Sequence, residues 1–589
     1  MSDPTNTEIA QALDELGDLS ELDGAAVYRV VAYHNAAKTV REAPVSVLGL
    51  ARQGRATELP GIGATIQEKI LALAETGDIP TAAKLRAKFP PGVIAMTHLP
   101  GLGPKRARRL FEELGIDSVE ALRAAAEGQR VRSLKGFGPK AEEAILASLR
   151  LSGAGEARVR VVLDKALAIA EPLLAALRAH PASERVELAG SARRMADTVK
   201  DLDVIATATE PLALARAAAA LELTEQAGTP TEAGVKLRTH TGLSVDLRIV
   251  APDQFGNLLQ HLTGSKAHNM ALRDAAVRKG LHVSEYGVLD DAGGETRRCA
   301  TEEDVYALLG LEYIEPELRE NRGELEAAAA GTLPQLISQA DLKGDLHCHT
   351  TASDGTASIE QMAVAARDAG YEYLAVTDHS ASFGFGDEVS PDRLREQIAQ
   401  IRAIGLDGLQ LLAGSEVNIL PDGSLDYDDE LLGELDWVIA SVHSSFRMSS
   451  EEMTARMIRA IEHPLVDAIG HPSGRKLERR APYSFDVERV IEAAARTGTM
   501  LEINSNPDRR DLNDIDARAA AAAGVPIVIN TDSHRTAGFA VARYGIATAR
   551  RAWLTASQVL NTRPWEEVQA IRPRHRSDLS ASSLRRARA

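Results

Sequence analysis

The sequence predicts a multidomain protein: a helical N-terminal region, an α+β second block and a C-terminal α/β distorted seven-stranded barrel. Three observations predict this. A small L-x-G-φ-G turn recurs three times among helical segments in the first quarter. A D-x-D pair opens a strand in the second block, and in the last third apolar strands alternate with helices and end on His, Asp and Glu. The 589 residues leave room for about four domains at ~150 residues each. Aromatics make up only 4%, so the cores must be built from Ala, Leu, Val and Ile. No apolar run reaches the ~18–20 residues of a membrane span and the N-terminus is acidic and polar, which points to a cytoplasmic protein. Cys299 and Cys348 are the only cysteines, which excludes a disulfide framework and a cysteine-rich zinc module. With 67 basic against 84 acidic residues the formal charge is −17, so a polyanion must be met by local basic surfaces. Lys105, Arg106, Arg108 and Arg109 form one such cluster, and a C-terminal tail with Arg572, Arg574, Arg576, Arg585, Arg586 and Arg588 forms another.

The three turns are Leu59-Pro-Gly-Ile-Gly63, Leu99-Pro-Gly-Leu-Gly103 and Leu134-Lys-Gly-Phe-Gly138, opening helical segments at 65–74, 105–114 and 140–149. A G-x-G turn lets the backbone approach a ligand and leaves the first N–H groups of the next helix free for a phosphate oxygen. The repeat resembles the helix-hairpin-helix motif, which holds the DNA backbone without reading bases. That resemblance implies DNA contacts at Gly61, Gly63, Gly101, Gly103, Lys105, Gly136, Gly138 and Lys140. The first copy continues as Gly61-Ile-Gly63-Ala-Thr-Ile-Gln-Glu-Lys69 and resembles the lyase-domain helix of DNA polymerase beta and its relatives. It implies that Lys69 is a Schiff-base lysine, with Tyr33 at another lyase position. Thr65 departs from the basic residue of that family.

In the second block, 186–206 reads as strand, turn, short helix and strand, with Gly190-Ser191-Ala-Arg193-Arg194 at the turn. Asp201 and Asp203, at i and i+2, leave the same strand face, and Asp246 is central to another strand candidate. Three such carboxylates can hold two divalent ions about 4 Å apart, the geometry for in-line phosphoryl transfer. The G-S-x-x-R, D-x-D and distant Asp constellation resembles the palm of family X DNA polymerases. The resemblance implies that Asp201, Asp203 and Asp246 bind Mg²⁺ or Mn²⁺, with Asp246 also accepting the primer 3′-hydroxyl proton. It further implies that Gly190, Ser191 and Arg194 hold the incoming deoxynucleoside triphosphate, and that Asn269 and Arg273 touch the nascent pair. Where the family has Tyr-Phe before T-G-S, this chain has His261-Leu262, which bears on sugar discrimination.

Beyond an acidic connector and a break at 331–334, strand candidates fall at 344–350, 373–379, 409–419, 437–444, 466–471, 500–504 and 526–534. Their C-terminal ends carry His347, His349, Asp354, His379, Glu416, His443, His471, Asp532 and His534. Barrel active sites lie at such ends, and imidazoles with carboxylates suit Zn²⁺, Mn²⁺ or Fe²⁺. Cys348 points the other way, into core. The set resembles the PHP (polymerase and histidinol phosphatase) domain, a trinuclear phosphoesterase. That implies one ion on His347, His349, Glu416 and Asp532, a second on Glu416, His443 and His471, and a third on Asp354, His379 and His534.

The expected division is 1–85 lyase-like with the first hairpin, 86–155 with two more, 156–253 palm, 254–320 nascent-pair subdomain, 321–342 linker, 343–572 barrel and 573–589 basic tail. Together the resemblances imply a monomeric bacterial-type family X DNA polymerase with a PHP domain, acting on gapped or nicked DNA at the nucleoid. It would fill short gaps, and its barrel would be a 3′→5′ exonuclease or 3′-end processor that also cuts abasic sites. The alternatives are a phosphoesterase for small phosphates with an idle polymerase core, and a non-catalytic DNA-end scaffold.

Overall fold

The computed structural model of the protein describes residues 3–97, 99, 102–151, 160–382 and 389–573. Gly101 and the tail from 574 onward lie outside the described residues. The chain forms two compact units, one from 1–161, 165–189 and 199–255, the other from 162–164, 190–198 and the rest of the chain from 256. Among the described residues no helix is long and apolar enough to cross a membrane.

The first unit begins with helix Asn6–Leu22, started by a reciprocal Thr5–Glu8 capping box. Ile9, Leu13, Leu16 and Leu19 lie at helical spacing, and the helix buries them beside Val27–Glu42. Each repeat is a helical hairpin: Val47–Arg52 with Ala64–Thr76, Pro91–Thr97 with Pro104–Leu114, and Val119–Glu127 with Pro139–Leu151. The apolar residue inside each turn (Ile62, Leu102, Phe137) is buried in one core shared with Ile70, Leu110 and Leu149. Gly61 and Gly136 take φ of 76° and 90°, a left-handed backbone that a side chain disfavours.

The same unit holds a five-stranded sheet in the order Ser183–Leu188, Asp201–Ala208, Ser244–Ile249, Gly234–Thr239, Thr224–Ala227. Strand Asp201–Ala208 runs parallel to Ser244–Ile249 and pairs Asp203 with Asp246. The segment 190–198, expected with this sheet, belongs to the second unit. Its polar groups are held there: Arg193 by Glu302, Arg194 by Glu320, and Asp197 by Arg475 and Arg510.

In the second unit, helices Lys266–Val277 and Glu302–Leu308 join a three-stranded sheet around Leu272, Val283, Val288, Val305 and Tyr306. The expected linker 321–342 contributes to this core. Helix Glu324–Ala330 places Leu325 and Ala328 in it, and the buried Glu324 carboxylate accepts from the Asn321 and Arg322 backbone and meets His268 at 2.7 Å.

The barrel has seven parallel strands in sequential order: Gly344–Cys348, Tyr373–Val376, Gln410–Asn418, Trp437–Ser441, Ala468–Ile469, Met500–Asn504 and Ile527–Asn530. Both faces are buried, as the near-continuous apolar runs require. Leu346, Tyr373, Leu412, Trp437, Met500 and Val528 fill the interior floor, and Leu560, Trp565 and Val568 join that cluster. The intervening residues pack with helices whose N-termini are capped by Ser358, Ser390, Ser449, Asp486 and Asn513. The ring closes where His349 N–H donates to the Ser533 carbonyl at 2.8 Å. Except for Met500–Asn504, which matches its expected bounds, the strands are shorter than expected, so His349, His379, His443, His471, Asp532 and His534 sit just beyond the strand ends. There the regular ladder gives way to single bridges, such as that of His379 with Glu416, and side chains can converge.

Candidate active sites

At the barrel mouth, Glu416 is 1% exposed and collects five imidazoles. His379 Nδ1 and His471 Nε2 lie 2.9 Å from its oxygens, His443 Nε2 3.2 Å, His347 Nε2 3.4 Å and His349 Nε2 3.6 Å. Asp532 Oδ1 is 3.1 Å from His349 and 3.6 Å from His347. Farther along, Asp354 meets His534 at 3.3 Å and His379 at 3.6 Å. All nine predicted ligands therefore come together. His379, assigned to the third expected set, faces both ways, Nδ1 to Glu416 of the other two sets and Nε2 to Asp354 of its own. Strand alternation alone would not direct both Leu346 and His347 inward. A register irregularity between Asp345 and Cys348 shifts the phase and leaves Cys348 in the outer core.

Both Glu416 oxygens, His347 Nε2 and both His349 nitrogens are buried without a hydrogen-bond partner. Such groups are costly unless a cation satisfies them, so the donor set fits divalent metal ions. Burial alone would raise the Glu416 carboxyl, but His443, His347 and His379 outweigh it and hold it well below the usual range. Burial, aided by His534 and His379, pushes His349 down to about 4, and burial with Arg509 does the same to His471. His349 and His471 are thereby held neutral, as ligation requires. Against the effect of burial, Glu502, Asp532 and Glu416 raise His347, and the carboxylates of Asp354 and Asp532 raise His534 to about 9, so a metal ion must displace a proton there.

The ligands are oriented by residues that motif spacing did not single out. Glu502, fully buried, accepts from His347 Nδ1 at 2.7 Å and from the His471 backbone N–H at 2.7 Å. Asn418 Oδ1 accepts from His443 Nδ1 at 2.6 Å, and the Asp532 carbonyl accepts from His534 Nδ1 at 2.8 Å. Each bond turns Nε2 toward the carboxylates. Asp378 accepts from Thr350, Ser353 and Gln397, fixing the loop that carries Asp354. The only sequence signal was a charged residue inside a buried strand, as Glu502 is in Met-Leu-Glu-Ile-Asn. Gly470 is also forced: a Cβ there would lie 2.4 Å from Ser441 Oγ.

In the first unit, Asp203 and Asp246 are directly opposed on neighbouring parallel strands and Asp201 shares the face of Asp203. All three are half-buried; Arg248 Nε approaches Asp246 at 3.4 Å, and Lys200 Nζ approaches Asp201 at 3.4 Å. In the second unit, Gly190 takes φ 67° and Ser191 follows on a short helix. Arg194 donates to the Thr263 carbonyl at 2.6 Å and meets Glu320 at 3.1 Å. Asn269 donates to the His261 carbonyl at 2.7 Å, while Arg273 is exposed and 3.3 Å from His261 Nδ1. His261 Nε2 lies 3.3 Å from Glu285.

At the hairpins, Gly63, Gly103 and Gly138 precede helices, and a Cβ built on any of them, or on Gly61, meets nothing within 4 Å. The helix starts are thus open to a ligand, with exposed Lys105 and Lys140 one turn or less away. A Cβ on Gly136 would reach only Arg109, at 3.9 Å. Lys69 is half-buried on Ala64–Thr76, and Tyr33 packs on the helical core. The cavity of about 790 Å³ in this region is lined by Asp14, Glu15, Asp18, His34, Asp78 and Arg86, and Lys69 is not among its walls.

Comparison with known proteins agrees with this architecture. Residues 4–79 match the helix-hairpin-helix domain, 93–151 the SAM-like helix-hairpin-helix tandem, 258–320 the DNA polymerase beta thumb and 345–506 the PHP domain. A DNA polymerase/3′-5′ exonuclease PolX of Bacillus subtilis (strain 168) is 37% identical over 572 residues, spanning 96% of this chain and 99% of the relative. A "probable phosphatase" of Thermoanaerobacter sp. (strain X514) is 31% identical over 239 residues, 37% of this chain and 89% of the relative. Another, of Acetivibrio thermocellus, is 32% identical over 202 residues, 32% of this chain and 78% of the relative. Similarity over nearly the full length of both chains, with hairpins, thumb and PHP barrel in one order, places the protein in the PolX family of family X DNA polymerases.

Proposed function

We propose that this chain fills short gaps in DNA by template-directed nucleotidyl transfer and trims 3′ ends with its barrel. The observation that carries the reading is the presence of two acid sets in one chain: Asp203 and Asp246 in register with Asp201 on the same face, and Glu416 among five imidazoles with Asp532. The PolX relative is named for both activities, and the phosphatase relatives match stretches of 239 and 202 residues, about the length of the barrel. Asp201, Asp203 and Asp246 would hold Mg²⁺ or Mn²⁺. His347, His349, Glu416 and Asp532 would hold one barrel ion, Glu416 with His443 and His471 a second, and Asp354, His379 and His534 a third, with Mn²⁺, Zn²⁺ or Fe²⁺ suited to these donors. Bound there, the ions supply Lewis-acid charge and an activated water. Asp246 accepts the primer 3′-hydroxyl proton, and Gly190, Ser191 and Arg194 hold the triphosphate. Arg194 must exchange part of its bonding to Glu320 for phosphate. The hairpin turns grip the backbone of gapped or nicked DNA on either side, and Asn269 and Arg273 orient the nascent pair. Primer extension on gapped DNA with Mg²⁺ or Mn²⁺, against an EDTA control, tests the polymerase. Shortening of a 5′-labelled strand tests the nuclease.

Two further outcomes follow from single residues. His261 replaces the family's tyrosine and is tied to Glu285 and Arg273, leaving less aromatic bulk near the sugar. Ribonucleotide insertion under Mn²⁺ is expected to approach deoxyribonucleotide insertion. A preference above ~1000-fold, about 4 kcal/mol, contradicts this. Lys69 is expected to form a borohydride-trappable adduct with a 5′-deoxyribose phosphate. Trapping that survives Lys69→Ala undiminished removes the lyase role, since the helix tolerates Ala well.

A further inference from the structure

One basic element of the barrel has no part in the metal centre. The loop after His471 carries Arg475, Lys476, Arg479 and Arg480 against a single acid, Glu478, and residues 475–482 line a cavity of about 420 Å³. Arg475 is the anchor of this loop. It meets Asp197 at 2.9 Å and donates to the carbonyls of Arg509, at 2.8 Å, and Arg510, so it has little capacity left for a phosphate. Lys476 and Arg480 exchange backbone hydrogen bonds at 2.8 Å, and Leu477 N–H donates to the Asp508 carbonyl at 2.6 Å. The loop is thereby fixed beside Arg509, whose Nε lies 3.6 Å from Asp532 of the metal centre.

The other cations of the loop make no direct ion pair, although Asp508 lies near enough to act on Lys476 and Arg480. Among the described residues Lys476, Arg479 and Arg480 form no ion pair within 4 Å, and the buried Arg509 Nη1 has no hydrogen-bond partner. Arg480 donates to the Gly474 carbonyl at 2.8 Å and is held 4.1 Å over the Phe446 ring, which leaves the rest of its guanidinium for a ligand. In a chain of net charge −17, so many unpaired cations beside a phosphoesterase centre match a ligand with several phosphates in a row. A small monoester would meet only the innermost of them.

We propose that Lys476, Arg479 and Arg480, together with Arg509, form a lip that seats the phosphodiester backbone of a single-stranded 3′ end on the 5′ side of the scissile linkage. The lip makes the barrel selective for polynucleotides over small phosphoesters. This inference rests on the nuclease reading above.

The test is a Lys476→Ala/Arg479→Ala variant of the full chain, which leaves the Arg475 anchor and the Arg480 contacts in place. Its ratio of single-stranded oligonucleotide to bis-p-nitrophenyl phosphate hydrolysis is expected to fall at least ~10-fold. The salt dependence of oligonucleotide hydrolysis should flatten by about 1.4 in log–log slope, ~0.7 for each lost contact. An uncharged methylphosphonate within three linkages 5′ of the scissile bond should slow the wild type about tenfold and the variant less than twofold, because the partners are already gone. Independently of turnover, a 4-thiothymidine oligonucleotide in EDTA should crosslink to the peptide containing 475–482. A wild type that cleaves the small diester but not DNA overturns the nuclease reading and the lip together. A wild type that degrades DNA while the variant matches its ratio and slope, with no crosslink to this peptide, overturns the lip alone.

Discussion

Glu416→Ala is expected to abolish barrel hydrolysis, by at least ~100-fold, and to lower the number of metal ions retained per chain. The loss should exceed the 10–100-fold typical of removing an outer partner of a ligand, because this carboxylate is the common neighbour of His347, His349, His379, His443 and His471. Without it, five clustered imidazoles face one another across a buried space with one fewer negative charge to hold cations. Elemental analysis after dialysis gives the metal count, and release of the 3′-terminal nucleotide gives the activity. Circular dichroism checks that the barrel still folds on its core of Leu346, Trp437, Met500 and Val528. Gap filling should stay near wild type. Wild-type metal content with full hydrolysis would remove Glu416 from the centre.

The barrel ligands were legible because most stand at or just past the end of an apolar run, and a parallel sheet brings all such ends to one rim. The repeats were legible because a G-x-G turn has few other uses between helices. What escaped the sequence depends on partners far apart in the chain. Glu502 meets His347 across 155 positions, and nothing near either residue announces the pair. The phase shift at His347 is equally silent, since it arises from how Gly344–Cys348 registers on Tyr373–Val376. Residues 321–342 read as a linker because the acidic helical stretch 316–328 runs into a break at 331–334, yet Leu325 and Ala328 find an apolar partner surface and Glu324 finds His268. Arg194 was legible as a cation but not as one already engaged by Glu320 and the Thr263 carbonyl. Local pattern thus yields which residues carry chemistry, and tertiary pairing decides which of them are free to use it.

Asp246→Asn is expected to cut nucleotide incorporation by at least ~100-fold, the low end for losing general-base assistance, and to leave the barrel nuclease near wild type. The substitution keeps the side-chain shape on strand Ser244–Ile249, where the backbone pairs with Asp201–Ala208 on one side and Gly234–Thr239 on the other. It removes one charge directly opposite Asp203, where adjacent strands are only ~4.8 Å apart and both carboxylates must share the metals. A neutral amide also cannot accept the 3′-hydroxyl proton. The Arg248 contact at 3.4 Å is partly exposed and contributes little to folding, so a folding defect should not mask the result. Nearest in sequence to Asp246 among the barrel ligands is His347, about 100 residues on and in a different sheet, so the two chemistries are expected to separate. Measured side by side, Asp246→Asn should lose extension and keep trimming, while Glu416→Ala does the reverse. Parallel loss of both activities in both variants, with circular dichroism unchanged, would mean one composite active site in place of two centres.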